Sequence, residues 1–466
     1  MPLPPYLFWL EWIRKRVLES VGWIFLIGIV FWVPFLRVWW WLFLPFILQP
    51  LAKKLCLWYL NWDFHCARWK WVVLEIIPPK QILTPFKAME DVFSALWSIW
   101  DHPNFREEWC EGELNNSPFW LSWEIASLEG KIHFYVRCLD AHRTSVEIAL
   151  YTHYPEIEIR EVPDYTKMVP SLIPNDEWDV YGEDWEFYRK EGGKIIHAYP
   201  CKTYRTFFEP QGERIGEEEK RLDPILSLLE GLSKLGKGEY YWIQFITVPI
   251  ADIDEPEWKE DGKKIVDKIA KRPQKVEKTF LDELKEVFLQ IIVGPQKEGE
   301  GYKMPTIEPA KSETGEREML LTPGEREIIS EIENKMNKIV YRTHIRGIYV
   351  AKRESWKHVH RTLLRVYMGF FATRHLNSFG FNTKTRPKIH FFMRKRLTFL
   401  RARKMFKYAV ARLPGLFPDR QSVCAILSTE ELATLFHFPL RITGMGIPSV
   451  EKIESKKGGP PPNLPG

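Results

Sequence analysis

The stretch from Val21 to Leu51 reads VGWIFLIGIVFWVPFLRVWWWLFLPFILQPL, and Arg37 is its only charge. A helix needs about 20 apolar residues to cross a bilayer, and this run exceeds that length. It is roughly twice the usual apolar region of a signal peptide, with no small-residue cleavage site after it. Trp39, Trp40 and Trp41 beside Arg37 suit a membrane–water interface. The expectation is an N-terminal transmembrane segment, with residues 1–55 as a membrane anchor. Arg14, Lys15 and Arg16 precede the run, and Lys53, Lys54, Arg68 and Lys70 follow it. Two positive flanks do not orient a single span, so one span and a hairpin both stay open.

After this run the chain alternates between strand and helix patterns. Residues 71–77 (WVVLEII) read as a strand stopped by Pro78-Pro79. Thr84-Pro85 opens a helix with Phe86, Met89, Phe93, Leu96, Trp97 and Trp100 at spacings of three and four. Two strands flank Glu129-Gly130, with Leu121, Trp123 and Ile125 on one face and Ile132, Phe134 and Val136 on another. A helix near 141–153 and a strand at 156–162 complete the order strand, helix, strand, strand, helix, strand. That is the split βαβ pattern of a ferredoxin-like unit, expected over 56–170.

A second such unit is expected over 171–375. The stretch 175–193 is acidic and reads as irregular, so this unit is predicted to begin with a strand at 194–207. A helix at 223–235 and the strand EYYWIQFITVPI (239–250) follow. A charged helical stretch at 255–278, a helix at 280–292 and a disordered insert at about 294–320 interrupt it. The core resumes at Thr322 with a helix, a strand at 340–351 and a helix at 354–373. Thr322 with Glu325, and Ser428 with Glu431, have the spacing of capping boxes. Residues 376–440 form a basic helical region, and 441–466 a Pro/Gly-rich extended tail. The fold class is thus α+β: a transmembrane segment, two ferredoxin-like units and a basic C-terminal helix.

The charge is unevenly placed. Between Lys335 and Arg420 stand 22 Lys and Arg against two acids, while 421–466 is neutral; of the overall +5, this leaves −15 on residues 1–334. The basic helix expected at 389–413 carries Arg394, Lys395, Arg396, Arg401, Arg403, Lys404 and Lys407, with Met393, Leu397 and Leu400 along one side, continued by Phe406, Val410 and Leu413. Such a helix can neutralise nucleic-acid phosphates, rest on anionic lipid, or pair with an acidic protein surface. All three remain open from charge alone.

Catalytic and cofactor signals are weak. Gly231 to Gly238 almost spells a phosphate loop. Gly238 replaces the hydroxyl residue that would hold magnesium, and the stretch ends a helix where a phosphate loop would open one. The glycines fit a helix end and a turn. Six cysteines show no CxxC pair, and His358 and His360 have no third or fourth zinc ligand in reach of sequence. No cofactor and no enzymatic activity are expected. Scattered cysteines suit a reducing compartment.

Several stretches together resemble a known family: WVVLEIIPPK (71–80), TPFKAMEDVFSALW (84–97), WLSWEIASLEGKIHFYVRC (120–138), YPEIEIREVPDYTK (154–167), LTPGERE (321–327), STEELATLFHFP (428–439) and KKGGPPPNLP (456–465). They look like the membrane-associated proteins of type IV secretion and conjugation systems in small-genome bacteria, whose non-ATPase N-terminal region accompanies or precedes a TraD/TraG-like ATPase. The resemblance implies a role in transfer across the envelope, with membrane lipid, a separate ATPase, other apparatus subunits and DNA as partners. It places the chain at the bacterial cytoplasmic membrane, with its bulk in the cytoplasm. No motor domain is found before Pro465-Gly466, so no ATPase residues carry over. Two functions are expected from this: a non-enzymatic scaffold of such an apparatus, or a membrane-tethered nucleic-acid-binding protein acting through the basic helix.

Overall fold

In a computed structural model, the described residues are 69–79, 82, 85–100, 120–207, 223–252, 256–270, 321–389, 393–413 and 424–439, with short strands at 296–298 and 301–303 and single helical positions at 49, 52 and 56. They lie almost wholly in one compact unit, residues 70–101 with 119–466. Arg37, Trp39, Trp40 and Trp41 lie outside the described residues, as do the expected helix at 280–292 and the C-terminal tail.

Nine strands form one antiparallel sheet. In chain order they are β1 (Trp71–Ile77), β2 (Leu121–Leu128), β3 (Lys131–Leu139), β4 (Glu158–Val162), β5 (Trp178–Phe187), β6 (Glu239–Ile250), β7 (Val340–Lys352), β8 (Phe379–Phe381) and β9 (Ala425–Ser428). The spatial order is β8-β5-β7-β6-β2-β3-β1-β4, with β9 beside β7. Read from its own first strand, each half has the order 4-1-3-2. The two second strands meet in the middle: β2 pairs antiparallel with β6 from Leu121 opposite Thr247 to Leu128 opposite Tyr240.

Besides a single turn at Tyr204–Phe207, the helices are α1 (Pro85–Leu96), α2 (Arg143–His153), α3 (Pro224–Ser233), α4 (Glu257–Ile269), α5 (Pro323–Met336), α6 (Leu363–Gly369), α7 (Arg394–Ala411) and α8 (Thr429–Leu435). One core gathers Met89 and Phe93 of α1, Leu150 of α2, Leu229 of α3, Tyr367 of α6 and Leu432 of α8 with Trp123, Phe134 and Phe245 of the sheet. A smaller core on the opposite face holds Ala402, Met405, Phe406 and Ala409 of α7 against Trp178, Val180, Trp242 and Ile348. The strand alternation accounts for this division. Trp123 and Ile125 face the first core, whereas Ala126 and Trp242 face the second.

Both expected capping boxes form, at Thr322 with Glu325 and at Ser428 with Glu431. The second starts a segment that ties the halves together. Strand β9 pairs with β7 of the second half. The chain then delivers Phe436 onto the joint, where it meets Trp123 of β2 and Phe245 of β6, with Phe134 of β3 alongside. Phe436 and Phe438 are completely buried.

The expected fold needs three corrections. First, no transmembrane element is part of the described fold: the apolar run 21–51 lies outside the described residues except for position 49, and among the described residues no helix is long and apolar enough to cross a membrane. Their apolar side chains are spent on the two faces of the sheet, and the longest of the helices, α7, is strongly basic. Secondly, the ferredoxin-like patterns are not separate bodies in series, because the β2–β6 pairing fuses them into one sheet. Thirdly, the second half begins at β5, within the stretch expected to be irregular, and 194–195 is only one arm of a small hairpin with 190–191. The acids that obscured β5 are paired: Glu183 with Arg365, Asp184 with Arg346 and His344, and Glu186 with Lys190. Within the insert expected to be disordered, Gln296–Glu298 and Gly301–Lys303 form a hairpin.

The turn Glu129-Gly130 has positive φ at both residues, 55° and 87°. A Cβ on Gly130 would come 2.6 Å from the Leu235 carbonyl oxygen, so only glycine fits there without displacing backbone. Replacing Phe436 by alanine is expected to cost about 3–5 kcal/mol, because it empties a fully buried aromatic site that both halves line. Urea unfolding checks this; a loss below about 1 kcal/mol would show that the joint does not depend on this ring.

Candidate nucleic-acid interface

The basic helix α7 is docked at one end only. Ala402, Met405, Phe406 and Ala409 are buried on the sheet. Gly182 of β5 permits this approach, since a Cβ there would stand 2.8 Å from Met405 Cγ. Towards the N-terminus the helix leaves the body. Met393, Leu397 and Leu400, which the sequence places along one side, are 46%, 38% and 48% exposed. The apolar stripe was real, but it lies opposite the packing face; small Ala402 and Ala409 with Met405 and Phe406 make the contact.

The C-terminal end is locked by polar groups from several strands. A helix leaves its last carbonyls without partners inside the helix. Here Gln244 of β6 donates to the Ala409 carbonyl at 3.0 Å, Arg137 of β3 to that of Ala411 at 3.3 Å, and Arg346 of β7 to that of Leu413 at 3.2 Å. Two of the three donors are cations, which also suit the negative end of the helix dipole. Arg412, in the left-handed conformation just past the helix, turns inward. Its Nε donates to Glu124 at 3.0 Å and its Nη2 to Asp164 at 2.8 Å, and the residue is fully buried. Ser122 and Tyr165 also donate to Glu124.

The charges are mutually held. Burial alone lowers the tendency of Arg412 to stay charged, but Glu124, Tyr165 and Asp164 outweigh it and hold the guanidinium well above its ordinary value. Burial likewise pushes the Asp164 carboxyl up, and the bond and charge of Arg412 outweigh this and keep it below the usual range. Asp184 behaves in the same way: burial opposes its charge, and Arg346 with His344 more than compensates. Arg137 is pushed down to about 10 by burial and by Arg412, which Glu124 and Asp164 only partly offset.

The exposed face of α7 carries most of the cations singled out from the sequence. Arg394, Lys395, Arg396, Arg403, Lys404 and Lys407 are exposed, and Arg401 is half-buried. Arg401 Nη1 donates to the Arg386 carbonyl at 3.4 Å, and Lys404 lies 5.4 Å from the Tyr408 ring. Among the described residues, no carboxylate forms an ion pair with any of the seven. Arg396, Arg403, Lys404 and Lys407 lie on the side away from the packing face and span about 16 Å of helix, at 1.5 Å per residue. Arg394, Lys395 and Arg396 occupy the first turn, where the positive end of the helix dipole disfavours cations.

Other chemistry is less developed. Among the described residues, no three His, Cys, Asp or Glu side chains gather as a metal site. His360, one of the paired histidines of the sequence, bonds Glu239 at 2.8 Å, and Glu239 also accepts from Tyr349 at 2.6 Å. Gly238 has φ of 76° and belongs to a turn, as its place between helix and strand implied. Sequence reading did not single out the anchors Arg137, Arg346 and Arg412. Only Arg412, the lone cation in the last apolar turn of an otherwise docked segment, offered a signal.

No protein-family model matches the chain. No curated protein matches it either.

Arg412→Met is expected to cost about 3–5 kcal/mol, because Glu124 and Asp164 would be left buried without their partner. Adding Glu124→Gln should recover part of that loss, measured by denaturant unfolding. The pH dependence has a definite sign. Asp164 and Asp184 have depressed values in the folded state, so their contribution is present above the ordinary aspartate range, about pH 4, and is lost as pH falls below it through the folded values. Near-ultraviolet circular dichroism should therefore hold steady down to about pH 4 and change on further acidification, less steeply for Asp184→Asn. A transition centred near neutral pH would contradict this.

Proposed function

We propose that this chain is a non-enzymatic assembly component of a DNA-transfer apparatus, which holds nucleic acid on the exposed face of α7 and docks a separate ATPase. The observation that carries the nucleic-acid part is the disposition of Arg396, Arg403, Lys404 and Lys407. They face solvent without carboxylate partners among the described residues, on a helix whose opposite face is fixed on the sheet. A fixed array loses less entropy on binding than cations on a flexible tail.

Two features favour nucleic acid over the alternatives. An acidic face of the chain's own body is not in ion-pair contact with these cations among the described residues. A lipid-surface helix needs a separated apolar face. Here the stripe Met393, Leu397 and Leu400 lasts two turns and then runs into Lys404 and Lys407. The three cations of the first turn add to the argument. They weaken the isolated helix by about 0.3–1 kcal/mol each, and an anion bound there would relieve that cost. The assembly role and the ATPase partner rest on the sequence resemblance alone.

The test is fluorescence anisotropy with a labelled oligonucleotide at several salt concentrations. Wild-type protein should bind at low salt and lose affinity steeply as salt rises, since each neutralised phosphate releases counterions. The variant Arg396→Glu, Arg403→Glu, Lys404→Glu, Lys407→Glu should bind at least about tenfold more weakly, since four phosphate contacts are reversed in sign. No wild-type binding at low salt, or equal binding by the variant, would overturn the proposal.

A further inference from the structure

A second cationic group lies at the open edge of β5, on the α6 side of the sheet, and reaches α7 through Arg386. Strand β8 covers β5 only from Trp185 to Phe187, so among the described residues no strand pairs with residues 178–183 on that side. Three arginines gather there around Tyr181, Glu183 and Phe381. The Arg361 guanidinium lies 4.8 Å from the Tyr181 ring centre. Those of Arg365 and Arg386 lie 4.9 Å and 4.6 Å from the Phe381 ring centre. Arg365 donates twice to Glu183, and Arg386 Nε lies 3.3 Å from the same carboxylate and donates to Tyr181 Oη. Arg361 Nε donates to the His358 carbonyl.

The charge balance is the informative part. Arg365 and Arg386 share the one carboxylate of Glu183, and Arg361 beside them pairs with none among the described residues, which leaves the cluster at +2. No other carboxylate forms an ion pair with them among the described residues. The side chains of Arg365 and Arg386 are 31% and 17% exposed. The aromatic rings hold the guanidinium groups in place by cation–π contact, worth about 0.5–1 kcal/mol at a partly exposed site. The residue hydrogen-bonded to the basic helix through Arg401 is Arg386 itself. The cluster is thus joined to α7 by a direct contact.

We infer that Arg361, Arg365 and Arg386 form a second phosphate-binding subsite, for the backbone of the same nucleic-acid strand that α7 holds. The inference rests on the nucleic-acid reading of α7 and deepens it. Guanidinium groups are suited to this role, because their planar forks donate two parallel hydrogen bonds to phosphate oxygens. Glu183 uses part of that capacity and fixes Arg365, while Arg361 and Arg386 supply the uncompensated charge. The strand would then follow a path from the first turns of α7, past Arg401, to the open edge of β5.

The experiment measures the salt dependence of binding of a labelled single-stranded oligothymidylate to the full chain. Loss of one phosphate contact lowers the slope of log K against log salt by about 0.7 for a single strand. Arg361→Gln, Arg386→Gln should therefore lower the slope by about 1.4, and Arg361→Lys, Arg386→Lys should keep it near wild type. Arg361→Gln alone touches only one backbone carbonyl and one ring. It should lower the slope by about 0.7, and it replaces the double variant if the latter does not fold. Wild-type slope and affinity in the glutamine variants would overturn this inference while the four-residue variant of α7 still tests the broader reading. Absence of wild-type binding at low salt would overturn both.

Discussion

The pairing of β2 with β6 is the contact on which the rest of the architecture depends. Two βαββαβ halves each expose the edge of a second strand, and an exposed edge invites pairing with another chain. Joining these two edges removes both and leaves only β4 and β8 at the ends of the main path. Strand β4 carries Glu158, Arg160 and Glu161, charges of the kind that blunt an edge. The helices α1, α2, α3 and α6 then lie over one face and share one core, which the two halves could not have built separately. Phe436 and Phe438 fill that core above the joint, so the segment after α7 closes the structure.

The opposite face of the same sheet receives the basic helix. Its docking combines a short apolar contact with a buried ionic lock, and these do different things. The apolar contact of Ala402, Met405, Phe406 and Ala409 holds the helix to the sheet. The lock of Arg412 with Glu124 and Asp164, and of Arg346 with Asp184 and His344, fixes where the helix ends. A buried ion pair is a weak source of stability in itself, because desolvation offsets its attraction. Its use as a register device fits the present arrangement, in which donors from β3, β6 and β7 each reach a different carbonyl at the helix terminus. The consequence is that seven cations are held on a fixed axis, with their free side towards solvent.

The halves of the fold were unequally legible in the sequence. The first half could be read because its strands alternate cleanly and its helices space their apolar residues at three and four. The start of the second half was hidden, because Glu183, Asp184 and Glu186 made β5 look like an acidic loop; the cations that neutralise them lie from four to more than 150 residues away. The β2–β6 joint was not legible at all, since pairing between distant edges leaves no local pattern. Within the candidate interface, charge density pointed to α7, and the side-chain period did not show which of its faces is buried. Met393, Leu397 and Leu400 satisfy the helical period as well as the true packing residues do, and only the departure of the helix from the sheet separates them. The arginines around Tyr181 and Phe381 come from two separate parts of the chain, 361–365 and 386, and carried no signal.

The central claim is that a rigid body presents the exposed face of α7, and the arginines joined to it through Arg386, to nucleic acid. Hydrogen–deuterium exchange on the full chain, with and without a single-stranded oligonucleotide at low salt, tests it most directly. The account expects slowed exchange in residues 393–407 and around 361–365 and 384–388 when the strand is present. It expects no change in 425–438, which is already buried in both states. Protection confined to other parts of the chain, or no protection under conditions where the oligonucleotide binds, would contradict it.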